Sequence, residues 1–350
     1  MEINIFIVAV AVAVTTDHVL VHAQRSFNCA VAAFCNDVTI DPRIQTDCMN
    51  CNVNGDQVIT SCPAGYIPCN NVKCGFSTTS PTISSGQATQ NAYPWNVYLQ
   101  DANNVNSMTK GYVGGGVLID QYFVVTAAHK IYPNVVLRAL FGLYDINGAP
   151  AQTIDVKSVY YHSDYNPTTL KNDIALLRLA EPVNIGPSAN FICPPQPGID
   201  YHTSNPGADN CVVVGFGNTT FTSNDAPYVH LKQAFLQIQA YTYCKMAYDS
   251  LGLMTANYLD GQTDICAGGE PNIDACTGDG GSGFVCRNVG ANQFNLVGIV
   301  LWGKECGQEG IPGVYLYYPA FLNWVTSTRN CILSSSNCAQ CPRAISTYCN

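Results

Sequence analysis

The stretch that decides the fold reads Asp274-Ala-Cys-Thr-Gly-Asp-Gly-Gly-Ser-Gly-Phe-Val-Cys286. Glycines flank an aspartate in this stretch, and a hydrophobic pair separates them from the second cysteine. Two other motifs lie upstream, Val124-Val125-Thr126-Ala127-Ala128-His129 and Asn172-Asp173-Ile174-Ala175-Leu176-Leu177. The chain therefore carries a histidine after an apolar run, an aspartate before another, and a glycine-rich turn between cysteines.

Together, the three motifs resemble those of trypsin-like serine proteases of the chymotrypsin fold. In that family the third motif reads Cys-x-Gly-Asp-Ser-Gly-Gly-Pro and continues to a hydrophobic pair and a cysteine. The residues that fall into this frame are Cys276, Gly278, Asp279, Gly281, Val285 and Cys286. The position of the nucleophilic serine holds Gly280. The resemblance covers roughly residues 83 to 328.

This resemblance implies an all-β fold of two antiparallel barrels with the site between them and a C-terminal helix. The residue pattern agrees, because short β-type segments alternate with Gly, Asn and Pro turns. Strands are predicted near Tyr93–Val97 and at Tyr112–Ile119, Tyr122–Val125, Lys171–Leu179, Cys211–Gly217 and Val297–Trp302. A terminal helix is predicted at Pro319–Thr326, with Phe321 and Trp324 on one packed face.

The composition excludes two classes of partner. The chain has 350 residues, a hydrophobic content of 47%, and a formal charge of −9 with only 11% charged residues. No broad basic surface is available for nucleic acid or an anionic membrane.

A signal peptide is predicted for residues 1–23, because Ile5–Val14 is a short apolar run and Ala23 ends a plausible cleavage site. A membrane anchor is the less favoured alternative, since a span needs about 20 apolar residues. The chain is therefore predicted to be secreted and extracellular, with no membrane span.

Two cysteine-rich segments flank the predicted protease-homology domain at residues 80–328. Residues 24–79 form one module and its linker, with Cys29, Cys35, Cys48, Cys51, Cys62, Cys69 and Cys74. The module is clip-like or an unrelated disulfide knot, because the adjacent cysteines that end a clip domain are missing. The tail, residues 329–350, carries Cys331, Cys338, Cys341 and Cys349 and is predicted to be a small two-disulfide cap.

The 18 cysteines favour disulfides in an oxidising compartment. A zinc site at Cys48-x-x-Cys51 or Cys338-x-x-Cys341 lacks a second ligand pair at suitable spacing. The resemblance implies the pairs Cys211–Cys286, Cys244–Cys266 and Cys276–Cys306, and a tether from Cys193 to Cys74. A fourth pair of the family falls on Gly114 and Lys130, so both of its cysteines are missing. Asp145 alone is too little for calcium, and no metal or cofactor is expected.

Carried over by resemblance, His129 is the general base and Asp173 orients it. Gly280 has no side chain and cannot attack, and loss of the nucleophile costs about 10⁶ in turnover. Ser282 is a less favoured displaced nucleophile. Leu301 replaces a serine that helps to hold the aspartate in the family.

Activation in this family depends on a new N-terminus that pairs with the aspartate before the nucleophile. Pro81 and Thr82 precede Ile83 here, and the nearest upstream basic residue is Lys73. No cleavage site is therefore expected to deliver a partner for Asp279.

By contrast, the substrate pocket matches the family better. Asp274 corresponds to the aspartate at the base of a trypsin-like pocket, and Gly303 and Gly313 correspond to glycines in its walls. A vestigial or working docking pocket for a basic residue is one interpretation. A collapsed pocket is the other.

The chain is identified as a non-catalytic homologue of arthropod clip-domain proteases. The resemblance implies a cofactor or scaffold in an extracellular protease cascade, such as prophenoloxidase activation in innate immunity and melanisation. Its partners would be extracellular proteases or prophenoloxidase-type zymogens. Alternatives are a secreted decoy inhibitor of such a cascade, from venom or a reproductive secretion, and a residual serine endopeptidase.

Overall fold

The computed structural model describes residues 28–30, 32–36, 67–69, 72–131, 135–203, 210–219, 221, 227–252, 258–287, 293–334, 341 and 344–346. For residues 28–29, 32, 67–69 and 344–346 it describes the backbone alone. The predicted signal peptide and most of the cysteine-rich module lie outside these residues. In the part that is described, no helix is long and apolar enough to cross a membrane.

Most of the described chain is β-structure. The strands are β1 Asn28–Ala30, β2 Ile67–Cys69, β3 Gly86–Gln87, β4 Asn96–Asp101, β5 Tyr112–Asp120, β6 Phe123–Thr126, β7 Leu137–Phe141, β8 Gln152–His162, β9 Ala175–Leu179, β10 Cys211–Gly215, β11 Lys232–Phe235, β12 Ile238–Gln239, β13 Asp264–Ala267, β14 Gly283–Arg287, β15 Phe294–Trp302, β16 Gly313–Tyr317 and β17 Ala344–Ser346. The helices are α1 Ala128–Ile131, α2 Tyr241–Ser250 and α3 Tyr318–Ser334, with a 3₁₀ turn at Ala32–Phe34.

The first large sheet closes into a barrel. Its strands follow the order β8-β7-β4-β5-β6-β9, and β8 also pairs with β9. Alternation along the strands divides their side chains between two cores. Val124 and Leu177 lie in one core within this barrel, whereas Val125 and Leu176 join a second core that includes Val212 and other residues of the second sheet.

The second large sheet follows the order β12-β13-β16-β15-β14-β10-β11-β3 and forms a half-barrel. Its neighbouring strands are antiparallel, as are those of the first sheet. The predicted all-β architecture with a C-terminal helix is therefore confirmed. Among the described residues, the second sheet does not close into a barrel, because its end strands β12 and β3 do not pair with each other.

Element bounds differ from the predictions where backbone turns intervene. The strand predicted from Lys171 begins at Ala175, because Leu170 and Asn172 have φ of 56° and 53°. Left-handed residues of this kind interrupt an extended strand. The strand predicted to end at Gly217 ends at Gly215.

Helix α3 packs on the first barrel, as predicted for its apolar face. Phe321 and Trp324 are buried, and their rings lie 5.8 and 5.2 Å from the ring of His162 on β8. The helix continues to Ser334, past the residue 328 where the protease-homology domain was predicted to end. A disulfide joins Cys331 to Cys341, and β17 then pairs with β8. The described part of the tail is thus built onto the first barrel. Cys338 and Cys349 lie outside the described residues.

The described part of the N-terminal module also contacts the first barrel. Strands β1 and β2 pair with each other, and Ala30 bridges to Ile185. Phe34 is buried, and its ring meets that of Phe76 edge-on at 5.3 Å.

Disulfide bonds fix four further connections. Cys74 is bonded to Cys193, which ties the segment before the barrels to the connection between β9 and β10. The other bonds join Cys211 to Cys286, Cys244 to Cys266, and Cys276 to Cys306. No cysteine whose side chain is described is free. Two of these bonds tie the Asp274–Cys286 stretch to Cys211 on β10 and to Cys306 between β15 and β16.

Candidate active site

His129 and Asp173 form a hydrogen-bonded pair on the first barrel. His129 lies at the start of α1, directly after β6, and Asp173 lies just before β9. The two strands pair with each other, which brings the residues together. Asp173 Oδ2 lies 2.6 Å from His129 Nδ1, and Asp173 Oδ1 accepts the His129 backbone N–H at 2.8 Å.

This pairing fixes the histidine tautomer. The Asp173 side chain is fully buried, whereas that of His129 is 25% exposed. An ionised carboxylate only accepts hydrogen bonds, so His129 Nδ1 carries the proton and Nε2 is left as an acceptor. His129 thus has the geometry of a general base held by an aspartate.

Residue 280 lies opposite this base but offers no nucleophile. A Cβ atom built on Gly280 would be 3.0 Å from His129 Nε2. Gly278 and Gly281 have left-handed φ of 97° and 83°, and Gly280 does not. The backbone at residue 280 therefore does not require glycine. The structure places His129, Asp173 and residue 280 together, and only residue 280 lacks the side chain that the reaction needs.

Lys130 fills the space beside Gly280. Its Cδ and Cγ atoms would lie 2.7 and 3.2 Å from a Cβ on Gly280. Its Cε and Cγ atoms would lie 2.9 and 3.2 Å from a Cβ on Gly114. The two positions of the missing family disulfide are therefore neighbours, and the Lys130 methylenes run across both glycines. Sequence reasoning treated Lys130 only as a lost cysteine, although its place directly after His129 could have signalled a role at the site.

Ser282 points elsewhere. It is fully buried, and a Cβ on Gly115 or Gly215 would lie 2.0 or 2.8 Å from its hydroxyl oxygen. The hydroxyl thus faces the junction of the two sheets, and it has no hydrogen-bond partner among the described residues. Ser282 does not line the cavity beside His129. Leu301 is buried in the core shared by the two sheets.

Asp279 is held inside the protein by backbone donors. Its carboxylate accepts the N–H groups of Gly217 at 2.7 Å and Cys276 at 2.9 Å. Burial raises the pKa of this carboxyl, and the nearby Lys232 ammonium is the largest opposing influence. Lys232 itself donates to the Asn218 carbonyl oxygen at 2.7 Å. A cation near Asp279 is thus supplied by the chain, a feature that sequence reasoning missed.

Asp274 lines an open cavity. The cavity has a volume of about 220 Å³, and Gly280, His129 and Lys130 also line it. Gly303 and Gly313 line it too, and a Cβ on Gly313 would come within 3.2 Å of Asp274 Oδ1. A side chain at residue 313 would therefore crowd the carboxyl group.

The Asp274 carboxyl is only half satisfied. Its Oδ2 atom accepts the Gly307 N–H at 3.0 Å, and its buried Oδ1 atom has no hydrogen-bond partner among the described residues. Burial raises the pKa of Asp274 to about 7, and the charges of Asp279 and Glu270 add to this rise. A cation bound near this carboxyl would favour its ionised form.

A metal centre has no support in the described chain, where no group of three or more possible ligands is found. Asp145 accepts the Asn147 N–H at 2.8 Å and lies 3.6 Å from His230 Nε2.

Comparisons with known proteins agree with this geometry. The sequence profile of the trypsin family matches residues 83–325. The chain belongs to the trypsin family. It is 35% identical over 285 residues to inactive CLIP domain-containing serine protease A3 of Aedes aegypti, covering 77% of this chain and 57% of that protein. It thus spans a little over half the length of the Aedes relative.

Two further relatives cover more of their own length. Inactive CLIP domain-containing serine protease A8 of Anopheles gambiae is 36% identical, over 74% of this chain and 72% of that protein. Phenoloxidase-activating factor 2 of Galleria mellonella is 31% identical, over 69% of this chain and 81% of that protein. This trypsin-family chain is therefore similar to two mosquito proteins that are named as inactive CLIP domain-containing serine proteases and to a phenoloxidase-activating factor.

Proposed function

We propose that this chain is a catalytically inactive, secreted protease homologue that acts by binding other proteins. One observation carries the proposal. Gly280 lies opposite the hydrogen-bonded His129–Asp173 pair, and Lys130 methylenes lie 2.7 and 3.2 Å from where a Cβ on residue 280 would be. The buried Ser282 hydroxyl is directed to the junction of the sheets and cannot replace the nucleophile. A base without a nucleophile cannot carry out acyl transfer.

The proposed role is that of a cofactor or scaffold in an extracellular protease cascade such as prophenoloxidase activation. The names of the Aedes, Anopheles and Galleria relatives support this role, since two are called inactive and one a phenoloxidase-activating factor. Its partners would be extracellular proteases or prophenoloxidase-type zymogens. Residues 1–23 would direct secretion, and residues 24–79 would form a clip-like module before the protease-homology domain.

The cleft between the sheets would serve as a docking site for a basic residue. Its open cavity is lined by Asp274, whose Oδ1 atom has no hydrogen-bond partner among the described residues. A charge-assisted bond from Arg or Lys would satisfy this atom. The cleft would thus bind a basic residue although it could not catalyse acyl transfer.

A reconstituted prophenoloxidase cascade tests the role. The purified full-length protein is added, and phenoloxidase activity is measured against Asp274→Asn and, as a surface control, Asp155→Asn. We expect activity to rise with wild type and Asp155→Asn, and to rise less with Asp274→Asn. A fall would instead identify a decoy inhibitor, and no change would exclude a role in this cascade.

A further inference from the structure

Two residues of opposite charge, Asp274 and Lys130, line the cavity between the sheets, and Lys130 lies beside Gly280. We propose that the cleft binds the free C-terminus of a polypeptide that ends in arginine or lysine. The basic side chain would pair with Asp274, and the terminal carboxylate with the Lys130 ammonium. This inference rests on the docking function proposed above and specifies its ligand.

Lys130 is the residue that would bind the terminal carboxylate. In a working protease the acyl carbon meets the nucleophile at the position opposite the base. In this chain that position has no side chain, and the Lys130 methylenes line it. An ammonium group has three N–H donors and can therefore hold a carboxylate together with another acceptor. The charge of Lys130 also acts on Asp279, and a bound carboxylate would share it.

Asp274 would select the basic side chain. Its Oδ1 atom is buried and has no hydrogen-bond partner among the described residues, and Gly313, which has no side chain, lies next to it. The cavity of about 220 Å³ is smaller than the roughly 300–1,000 Å³ of pockets for drug-sized ligands. It therefore suits one terminal residue. A terminal arginine would suit this cavity because its guanidinium would pair with Asp274 and its carboxylate with Lys130.

The ligand would come from a defined class of reaction. Another protease that hydrolyses a peptide bond after arginine or lysine leaves a carboxylate on the basic residue. An uncut chain presents a neutral amide at the same position. The cleft would thus distinguish a cleaved chain from an intact one by a charge-assisted hydrogen bond.

Two small ligands test the proposal on the full-length protein by isothermal titration. Nα-acetyl-L-arginine carries the carboxylate, and Nα-acetyl-L-argininamide replaces it by a neutral amide. We expect wild type to bind the acid about tenfold more tightly than the amide, as one charge-assisted hydrogen bond would give. In Lys130→Met this ratio should fall to about one, whereas Lys130→Arg and the distant control Lys245→Met should keep the preference. Melting temperatures of all variants check that each protein is folded.

The possible outcomes distinguish failure of this inference from failure of the docking function. Equal affinities of wild type for acid and amide would overturn the carboxylate site and leave docking by Asp274 intact. A preference for the acid that survives in Lys130→Met would also overturn it. Failure of both ligands to bind wild type would overturn the docking function and this inference together.

Discussion

The two sides of the cleft differ in how much of a working protease site they keep. On the first barrel, Asp173 is buried with two hydrogen bonds to His129. On the second sheet, Gly280 lies on a turn whose backbone accepts a side chain, yet it has none. A buried acceptor cannot be removed singly without orphaning its donors. A hydroxyl beside an open cavity can be lost at little structural cost. A complete His–Asp pair is therefore a structural feature as well as a catalytic one.

Removal of the carboxylate from the buried pair should have the largest effect on stability. Asp173→Ala leaves the His129 N–H without its acceptor, so we expect the free energy of unfolding to fall by about 3 kcal/mol. Asp155→Ala, which breaks a surface pair with Arg138, should cost no more than about 1 kcal/mol. Urea denaturation measures both. Equal effects of the two substitutions would show that the pair has no structural role.

Binding in the cleft should depend on Asp274. We expect benzamidine to bind wild type at millimolar concentration or below, because its amidinium would pair with the Asp274 carboxylate in the cavity. Asp274→Asn should weaken this binding at least about tenfold, since it removes a charge-assisted bond. Isothermal titration provides the affinities, with Asp155→Asn as control. An undetectable interaction with wild type at millimolar benzamidine would rule out the docking pocket.

The pH dependence should reflect the raised pKa of Asp274, which is about 7 in the folded chain. The folded state keeps this proton longer than the unfolded chain, so stability is fully present below about pH 4. That stability is lost as pH rises through 7. Asp274→Asn resembles the protonated carboxyl group, so its stability should fall less as pH rises. Its free energy of unfolding should diverge from that of wild type by up to about 1.4 kcal/mol per pH unit.

Urea denaturation between pH 4.5 and 8 measures this difference. Asp264, whose pKa is also raised to about 7 by burial, provides a comparison through Asp264→Asn. Benzamidine affinity should increase over the same range because binding needs the ionised carboxylate. Parallel stability curves for wild type and Asp274→Asn would contradict the assignment.

Gly280→Ala should have the smallest effect. The added Cβ meets the Lys130 side chain, which is flexible, so the change should be neutral within about 1 kcal/mol. In a Lys130→Ala background the same substitution should stabilise the protein by about 0.4–1 kcal/mol, because it restricts the unfolded chain. A double-mutant cycle measures this coupling.

Gly281→Ala is the matched control for this cycle. Residue 281 has a φ of 83°, and its Cβ would lie 2.2 Å from Thr126 Oγ1. It should therefore destabilise the protein in both backgrounds. A similar loss for Gly280→Ala in both backgrounds would mean that the turn itself requires glycine.

Much of the fold could be predicted from residue patterns. The apolar runs before His129 and after Asp173 predicted the strands β6 and β9, and the pairing of these strands brings the two residues together. Phe321 and Trp324 predicted the packed face of α3. The end of α3 was missed because cysteine spacing indicated a separate tail, whereas the helix continues through Cys331.

The candidate site was predictable only as a set of positions. Motif order indicated that His129, Asp173 and residue 280 would meet, but it could not show where Lys130 lies. That placement depends on the close approach of Gly114 and Gly280, which are far apart in sequence. The charge of Lys232 near Asp279 depends in the same way on the pairing of β10 with β11. Contacts between distant strands carry no local sequence signal.

Labelling with a fluorophosphonate tests most directly whether the cleft has lost its nucleophile. The reagent phosphonylates an activated serine, and intact-mass spectrometry detects the adduct. The full-length wild-type protein should show no increase in mass at concentrations that label trypsin completely. A stoichiometric adduct that peptide mapping assigns to Ser282 would contradict the inactive cleft.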